Sequence, residues 1–411
     1  MRKLILNSFV FFLMISGLNF AQNNKVIVGA DLLLSDEFSL IQNKNIAIVT
    51  NHTGVLSNGT HLIDTLLNKA SVTIKSLFGP EHGIRGNAPD GKSINDSILK
   101  NIPIYSLYGK VRKPTADMLK DVDVIIFDIQ DIGSRYYTFI STMFYCIEAA
   151  ADYNIPIVIL DRPNPINGIT VDGPLRKDEY KSFVAIAPIP IVHGMTVGEL
   201  ATLFNDERMI SSEKKAKLTV VKIKNWERKF YYDDCSLTWV KPSPNMPTLE
   251  TALLYQGLCL IEGINVSEGR GTYKPFIQIG APFIKPNVLI KELKVYKYSG
   301  IEFIPIEFTP ISIDSMSKFP KYENELCKGI EFRITDRNDF KSLRFGIDLL
   351  FVLKKLYPDK FQLRNNWLDK LYGSSDLTEK LVKFESSESL FKLWDDSLIS
   401  FKLLREKYLL Y

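Results

Sequence analysis

The sequence predicts an α/β fold, with a mostly parallel sheet in its N-terminal part and a smaller α+β unit in its C-terminal part. Two observations carry this. Through the first half, short continuous apolar runs alternate with longer helix patterns, the sign of a parallel sheet with crossover helices. From Gly300 onward the apolar runs alternate residue by residue with polar ones, the sign of half-exposed strands. Composition is that of a globular protein: 411 residues, 45% hydrophobic and 24% charged. At ~150 residues per domain, this length suits two or three domains.

The chain opens with a basic Met1-Arg2-Lys3, an apolar stretch from Leu4 to Leu18, and Ala21 as a cleavage point. This is the anatomy of a signal peptide over residues 1–21, although Asn19 is larger than a cleavage site prefers. The protein is therefore expected to be exported, periplasmic or secreted. No later run is long and apolar enough to span a bilayer, so no permanent membrane span is expected.

A first domain is expected over residues 25–248. Asn45–Thr50 reads as a buried strand ending in Asn51-His52-Thr53-Gly54, and His61–Ala70 as a helix. The strand Val72–Leu77 runs into Phe78-Gly79-Pro80-Glu81-His82-Gly83-Ile84-Arg85-Gly86. Here an acid, an imidazole and a guanidinium sit between glycines, at the strand end where open α/β sheets hold ligands. Ile102–Leu107 is a further strand, closed by Tyr108-Gly109, and Thr115–Lys120 forms a helix behind Pro114. The strand Val122–Phe127 leads into Asp128-Ile129-Gln130-Asp131-Ile132-Gly133-Ser134-Arg135-Tyr136-Tyr137 and a helix over Thr138–Tyr153. Ile155–Leu160 is the next strand, ending in Asp161-Arg162-Pro163-Asn164-Pro165. After His193-Gly194, Thr196 and Glu199 form a capping box at the start of another helix. Leu218–Ile223 is a strand, and the proline-rich Trp239–Pro247 is the crossing to a second domain.

That second domain is expected over residues 249–411. It opens with a helix over Thr251–Leu260. The loop Ile264–Thr272 follows, with Glu268 and Arg270 framed by glycines, and then Tyr273-Lys274-Pro275-Phe276. Gly300–Phe308 and Gly329–Ile334 are strands, and Lys341–Leu356 and Ser386–Tyr411 are amphipathic helices.

Composition and motifs exclude several classes. A net charge of +4 on this length does not support nucleic-acid binding through bulk charge. The Rossmann-like sheet lacks both Gly-x-Gly-x-x-Gly and the P-loop signature, so no nucleotide cofactor, and no other cofactor, is expected. The histidines His52, His61, His82 and His193 show no i, i+4 pair, and Asp128, Asp131 and Asp161 belong to separate loops, so no metal site is expected. Cys146, Cys235, Cys259 and Cys327 are irregularly spaced. An exported protein could pair them, but Cys146 and Cys259 lie in apolar runs and read as buried thiols. No motif sets the oligomeric state.

Two acids stand out. Glu81 and Glu268 each occupy a glycine-framed loop with an arginine nearby, and they come from different halves of the chain. Two carboxyl groups facing across a cleft are what glycoside hydrolysis requires, one to protonate the leaving oxygen and one as base, nucleophile or electrostatic stabiliser. The plainer reading is that each pairs with its neighbouring arginine.

The motifs Phe78-Gly79-Pro80-Glu81-His82-Gly83, Asp128–Thr138, Asp161–Pro165 and Glu268-Gly269-Arg270-Gly271-Thr272 together resemble the NamZ-type exo-β-N-acetylmuramidases, exported bacterial glycoside hydrolases. The resemblance runs from about Val26 to Tyr411. It implies a Rossmann-like N-terminal domain, a smaller C-terminal domain and a cleft between them. It also implies release of a non-reducing terminal N-acetylmuramic acid from peptidoglycan-derived chains, with Glu81 and Glu268 as the catalytic pair. It does not say which glutamate is the acid, or whether the route is retaining, inverting or substrate-assisted. The substrate's lactyl carboxylate calls for a cation, for which Arg85, Arg135, Arg270 and Lys274 are the candidates. Tyr136 and Tyr137 are candidates to stack on a sugar, and Asp128 and Asp131 to bind its hydroxyls. Asn51, His82, Asp161, Arg162 and His193 complete the expected substrate-binding set. The rival readings are a non-catalytic exported muropeptide receptor and a metal-dependent hydrolase of another cell-wall bond.

Overall fold

The computed structural model describes residues 25–86, 96–314, 316–364 and 366–411; the expected signal segment lies outside them. A seven-stranded sheet is built from β1 (Lys44–Thr50), β2 (Val72–Gly79), β3 (Ser97–Leu99), β4 (Ile102–Ser106), β5 (Val124–Asp128), β6 (Ile157–Leu160) and β7 (Leu218–Val221). Its order is β3-β4-β2-β1-β5-β6-β7. Every pairing is parallel except the β3–β4 edge. Successive side chains on a strand point to opposite faces. Ile46, Ile48, Val124 and Ile126 accordingly enter a core on one face, while Ala47, Val49, Ile125 and Phe127 enter the core on the other. Burial on both faces is why these strands read as unbroken apolar runs.

The helix Phe139–Tyr153 crosses from β5 to β6 and ends where Asn154 turns left-handed. The helix Val197–Asp206 begins on the expected capping box, with reciprocal bonds between Thr196 and Glu199. A smaller antiparallel sheet in the C-terminal half has the order β8-β10-β9, from β8 (Gln278–Ala281), β9 (Ile301–Phe308) and β10 (Cys327–Ile334). The helices Leu249–Leu258 and Ser342–Leu356 meet at Gly257 and Gly346. A Cβ on Gly257 would lie 2.0 Å from the Ser342 carbonyl oxygen, so only glycine permits this approach.

Some elements differ from expectation. Thr115–Lys120 forms only a 3-10 turn, Asp117–Leu119. The expected terminal helix breaks into Ser387–Phe391 and Asp395–Glu406. Strands β3 and β8 are too short to show a period. All four cysteines are free and buried. Among the described residues, no helix is long and apolar enough to cross a membrane.

The halves share one continuous apolar core, which holds Ile140 and Leu200 of the first and Leu258 and Leu350 of the second. Polar braces add to it. The Tyr411 hydroxyl donates to Asp161 at 2.7 Å and accepts from the Ile223 N–H at 2.6 Å.

Candidate active site

Chain direction places the site. From the central β1, the sheet grows through β2 and β4 on one side and through β5, β6 and β7 on the other. The loops at the C-terminal ends of β1, β2 and β5 therefore border the switch point, where doubly wound sheets form a crevice. The loop after β2 bends sharply: His82 and Gly83 have φ of 70° and 74°. A non-glycine residue held there is strained, a feature that clusters at functional sites. Gly86 presses against His52, whose Nε2 is 2.5 Å from the Lys241 carbonyl oxygen, tying this loop to the proline-rich crossing.

A cavity of about 480 Å³ opens between the halves. Glu81 and His82 line it from the loop after β2, and Tyr136, Tyr137 and Thr138 from the loop after β5. Glu262, Arg270 and Phe276 line it from the C-terminal half. The Thr138 hydroxyl donates to Glu81 Oε2 at 2.8 Å, and the Tyr108 hydroxyl also hydrogen-bonds Glu81. Burial and this carboxylate push the Tyr108 phenol up. The aromatic wall is braced edge to face, with Tyr255 5.7 Å from Tyr136, 6.0 Å from Tyr137 and 4.8 Å from Phe276. Arg112, at the rim, lies 4.7 Å over the Phe183 ring.

The chain matches the family model "Exo-beta-N-acetylmuramidase NamZ, N-terminal" over residues 46–250 and its C-terminal counterpart over residues 253–411. The chain belongs to the NamZ family. It is 43% identical over 394 residues to the peptidoglycan beta-N-acetylmuramidase NamZ of Bacillus subtilis (strain 168), covering 95% of this chain and 92% of that protein. Crystal structures of two DUF1343 family proteins from Bacteroides fragilis are similar in fold. One has a TM-score of 0.86 at 34% identity and the other 0.77 at 36%, each covering 94% of this chain and 99% of the other.

With the NamZ fold in view, the expected site residues divide. Glu81, His82, Tyr136 and Arg270 line the cavity. Glu268 does not. It lines a second cavity of about 690 Å³, with Lys321, Phe319, Tyr322 and Arg364. Its carboxylate is 2.9 Å from Lys321 Nζ and 3.5 Å from Arg270 Nε. Lys321 also donates to the carbonyls of Ile261 and Val266, so Glu268 sits in a buried polar cluster on the wall of that cavity.

Several residues expected to touch substrate instead lock the loops. Arg162 grips Asp128 with two bonds, Nε to Oδ1 at 2.6 Å and Nη2 to Oδ2 at 3.0 Å, both side chains buried. Asp161 accepts from the Gly198 N–H at 2.8 Å and the Thr196 hydroxyl at 2.8 Å, anchoring the helix that follows. Arg135 is fully buried and donates to the carbonyls of Pro174, Ile189, Leu371 and Tyr372. Asp131 accepts from the Gly133 N–H and lies 3.6 Å from Nε2 of the buried His193. Asn51 folds its own loop, its Oδ1 accepting from the Thr53 N–H and hydroxyl. Lys274 pairs with Glu331 at 2.6 Å, and Arg85 is exposed and is not among the lining residues. In this structure these members of the expected substrate-binding set are engaged within the protein or, for Arg85, lie outside the cavity lining. These residues hold backbone and one another, while Asn51 Nδ2, Asp131 Oδ1, Arg135 Nε and His193 Nε2 are buried without a hydrogen-bond partner.

Sequence reasoning missed Glu262, Tyr108, Thr138, Arg112 and Lys321. Glu262 carried a signal, an acid directly after the apolar run Leu258–Ile261, since carboxylates are rarely buried unpartnered.

Proposed function

We propose that this chain is an exo-acting glycosidase that releases N-acetylmuramic acid from the non-reducing end of peptidoglycan-derived glycan fragments, using carboxyl catalysis. The observation that carries the reading is Glu81, held by two hydroxyl groups on the wall of a cavity between the halves of a NamZ-family chain. The volume, about 480 Å³, falls within the roughly 300–1,000 Å³ of small-ligand pockets. Its lining combines a rigid aromatic wall with a few convergent polar groups, the composition expected of such a pocket.

The substrate's lactyl carboxylate needs a cation. Among the described residues the lysines and arginines lining the cavity are Arg112, Arg270 and Lys370, and Arg270 is engaged with Glu262 at 2.8 Å. Arg112 at the rim lies 4.7 Å over Phe183, and a guanidinium can grip a carboxylate with two hydrogen bonds. We assign it that role. The N-terminal segment supports export of the mature protein, which would place it with peptidoglycan fragments outside the cytoplasm.

The test is incubation with two disaccharides of opposite polarity, one with N-acetylmuramic acid at its non-reducing end and one with N-acetylglucosamine there, followed by mass analysis. The muramic-acid-terminated disaccharide is split and the other is untouched. Binding of the first without cleavage would overturn the enzyme reading. Cleavage of both, or internal cleavage of longer chains, would overturn exo-specificity.

A further inference from the structure

Glycosidase chemistry asks for a second carboxyl, and Glu268 does not line the cavity that Glu81 lines. Glu262 does. It lies in the 3-10 turn Cys259–Gly263, so the C-terminal half contributes it. With Arg270 it also lines the second cavity. Its side chain is only 18% exposed, and its Oε1 accepts from Arg270 Nη2 at 2.8 Å. We propose that Glu262 is the acid that protonates the leaving glycosidic oxygen, in partnership with Glu81, and that Glu268 is a positioning residue acting through Arg270. The assignment rests on the glycosidase reading above.

The surroundings of the two carboxyls differ in the sense this requires. Glu81 is bonded by two hydroxyl groups, those of Thr138 and Tyr108. Glu262 is desolvated and faces Glu268, and these push it up to about 8, against the pull of Lys321 and a hydrogen bond from Trp367. Lys321 is committed elsewhere, to Glu268 and to two carbonyls. A neutral carboxyl still accepts an arginine N–H on its carbonyl oxygen, leaving the other oxygen to carry the proton.

Position agrees. Glu262 is common to both cavities, so it lies at the seam between a sugar held in the first and a leaving saccharide extending into the second. As the C1–oxygen bond breaks, the Glu262 proton moves to the leaving oxygen. One water gives its hydroxyl to C1 and its proton to Glu81. Exchange of one proton with solvent then restores both carboxyls.

The test compares Glu262→Gln, Glu268→Gln and wild type on the muramic-acid-terminated disaccharide and on the p-nitrophenyl β-glycoside of N-acetylmuramic acid. The nitrophenolate leaves without protonation. Glu262→Gln is expected to lose about 10²–10⁴-fold on the disaccharide, the usual worth of an acid catalyst, while staying within about tenfold of wild type on the aryl glycoside. Wild type should show an alkaline limb near pH 8 in kcat/KM on the disaccharide, where the Glu262 proton is lost. Glu268→Gln should lose less on the disaccharide than Glu262→Gln and move that limb to lower pH, since the Glu268 charge helps to raise Glu262. Aryl-glycoside activity also reports that each variant is folded. The assignment is overturned if Glu262→Gln cleaves the disaccharide at wild-type rate, or if it loses both substrates equally. A wild-type protein inert on both substrates overturns the glycosidase reading itself, and this assignment with it.

Discussion

Glu262 and Glu268 share one guanidinium: Arg270 donates Nη2 to Glu262 at 2.8 Å, and its Nε lies 3.5 Å from Glu268. Burial pulls Arg270 down to about 10, which still leaves it charged at neutral pH. Lysine cannot reproduce this geometry, because it offers a point charge where arginine offers a planar fork. Arg270→Lys should therefore let Glu262 wander and cost about 100-fold in kcat on the disaccharide, the effect of a displacement of ~1 Å. Steady-state kinetics on that substrate is the check.

Glu81→Gln keeps the shape and both hydroxyl partners but loses the charge. The expected loss in kcat is about 10²–10⁴-fold, on both the disaccharide and the aryl glycoside, since a base is needed for either. Unfolding by urea should be nearly unchanged. Retention of full activity would remove Glu81 from the mechanism.

Arg112→Met should weaken recognition of the lactyl group rather than bond cleavage. A charge-assisted hydrogen bond is worth about 1.5–3 kcal/mol, so KM for muramic-acid substrates should rise by roughly 10–150-fold with little change in kcat. The measurement is discrimination between aryl glycosides of N-acetylmuramic acid and N-acetylglucosamine, which should narrow.

The buried Asp128–Arg162 pair predicts a stability effect. Arg162→Met leaves a carboxylate buried without its partner, a change that costs about 3–5 kcal/mol. Urea denaturation should show it. A variant of unchanged stability with raised KM would return Arg162 to the substrate.

Asp161 predicts a pH dependence of stability. Burial raises its carboxyl from 3.8 to about 7, against the pull of hydrogen bonds from Gly198, Tyr411 and Thr196. Between those values the folded protein holds a proton that the unfolded chain has released, so stability falls as pH rises through this window. Glu262 acts in the same sense, from 4.5 to about 8. Denaturant midpoints should be lower at about pH 7.5 than at about pH 5, and Asp161→Asn should flatten the slope.

The sheet was legible because its strands are buried on both faces: Ile46, Ile48, Val124 and Ile126 line one core and their neighbours the other. The Glu81 loop was legible because glycines and a strand end mark a place where ligands sit. Arg135, Asp128 and Arg162 shared that signature, yet they hold backbone and one another. The sequence shows polar residues leaving a strand, but not whether they face a ligand or a distant carbonyl such as that of Leu371. Glu262 was hidden for the opposite reason. It directly follows an apolar run, and only folding brings it to the cavity that Glu81 lines.

The Arg135 guanidinium is bound by Pro174 and Ile189 of the first half and by Leu371 and Tyr372 of the second. A clamshell motion of the two halves would strip hydrogen bonds from a buried cation, so the cleft has no cheap hinge. Catalysis here would proceed in a rigid vessel, with the sugar threading in rather than being swallowed. Small-angle scattering curves with and without bound N-acetylmuramic acid should then superimpose.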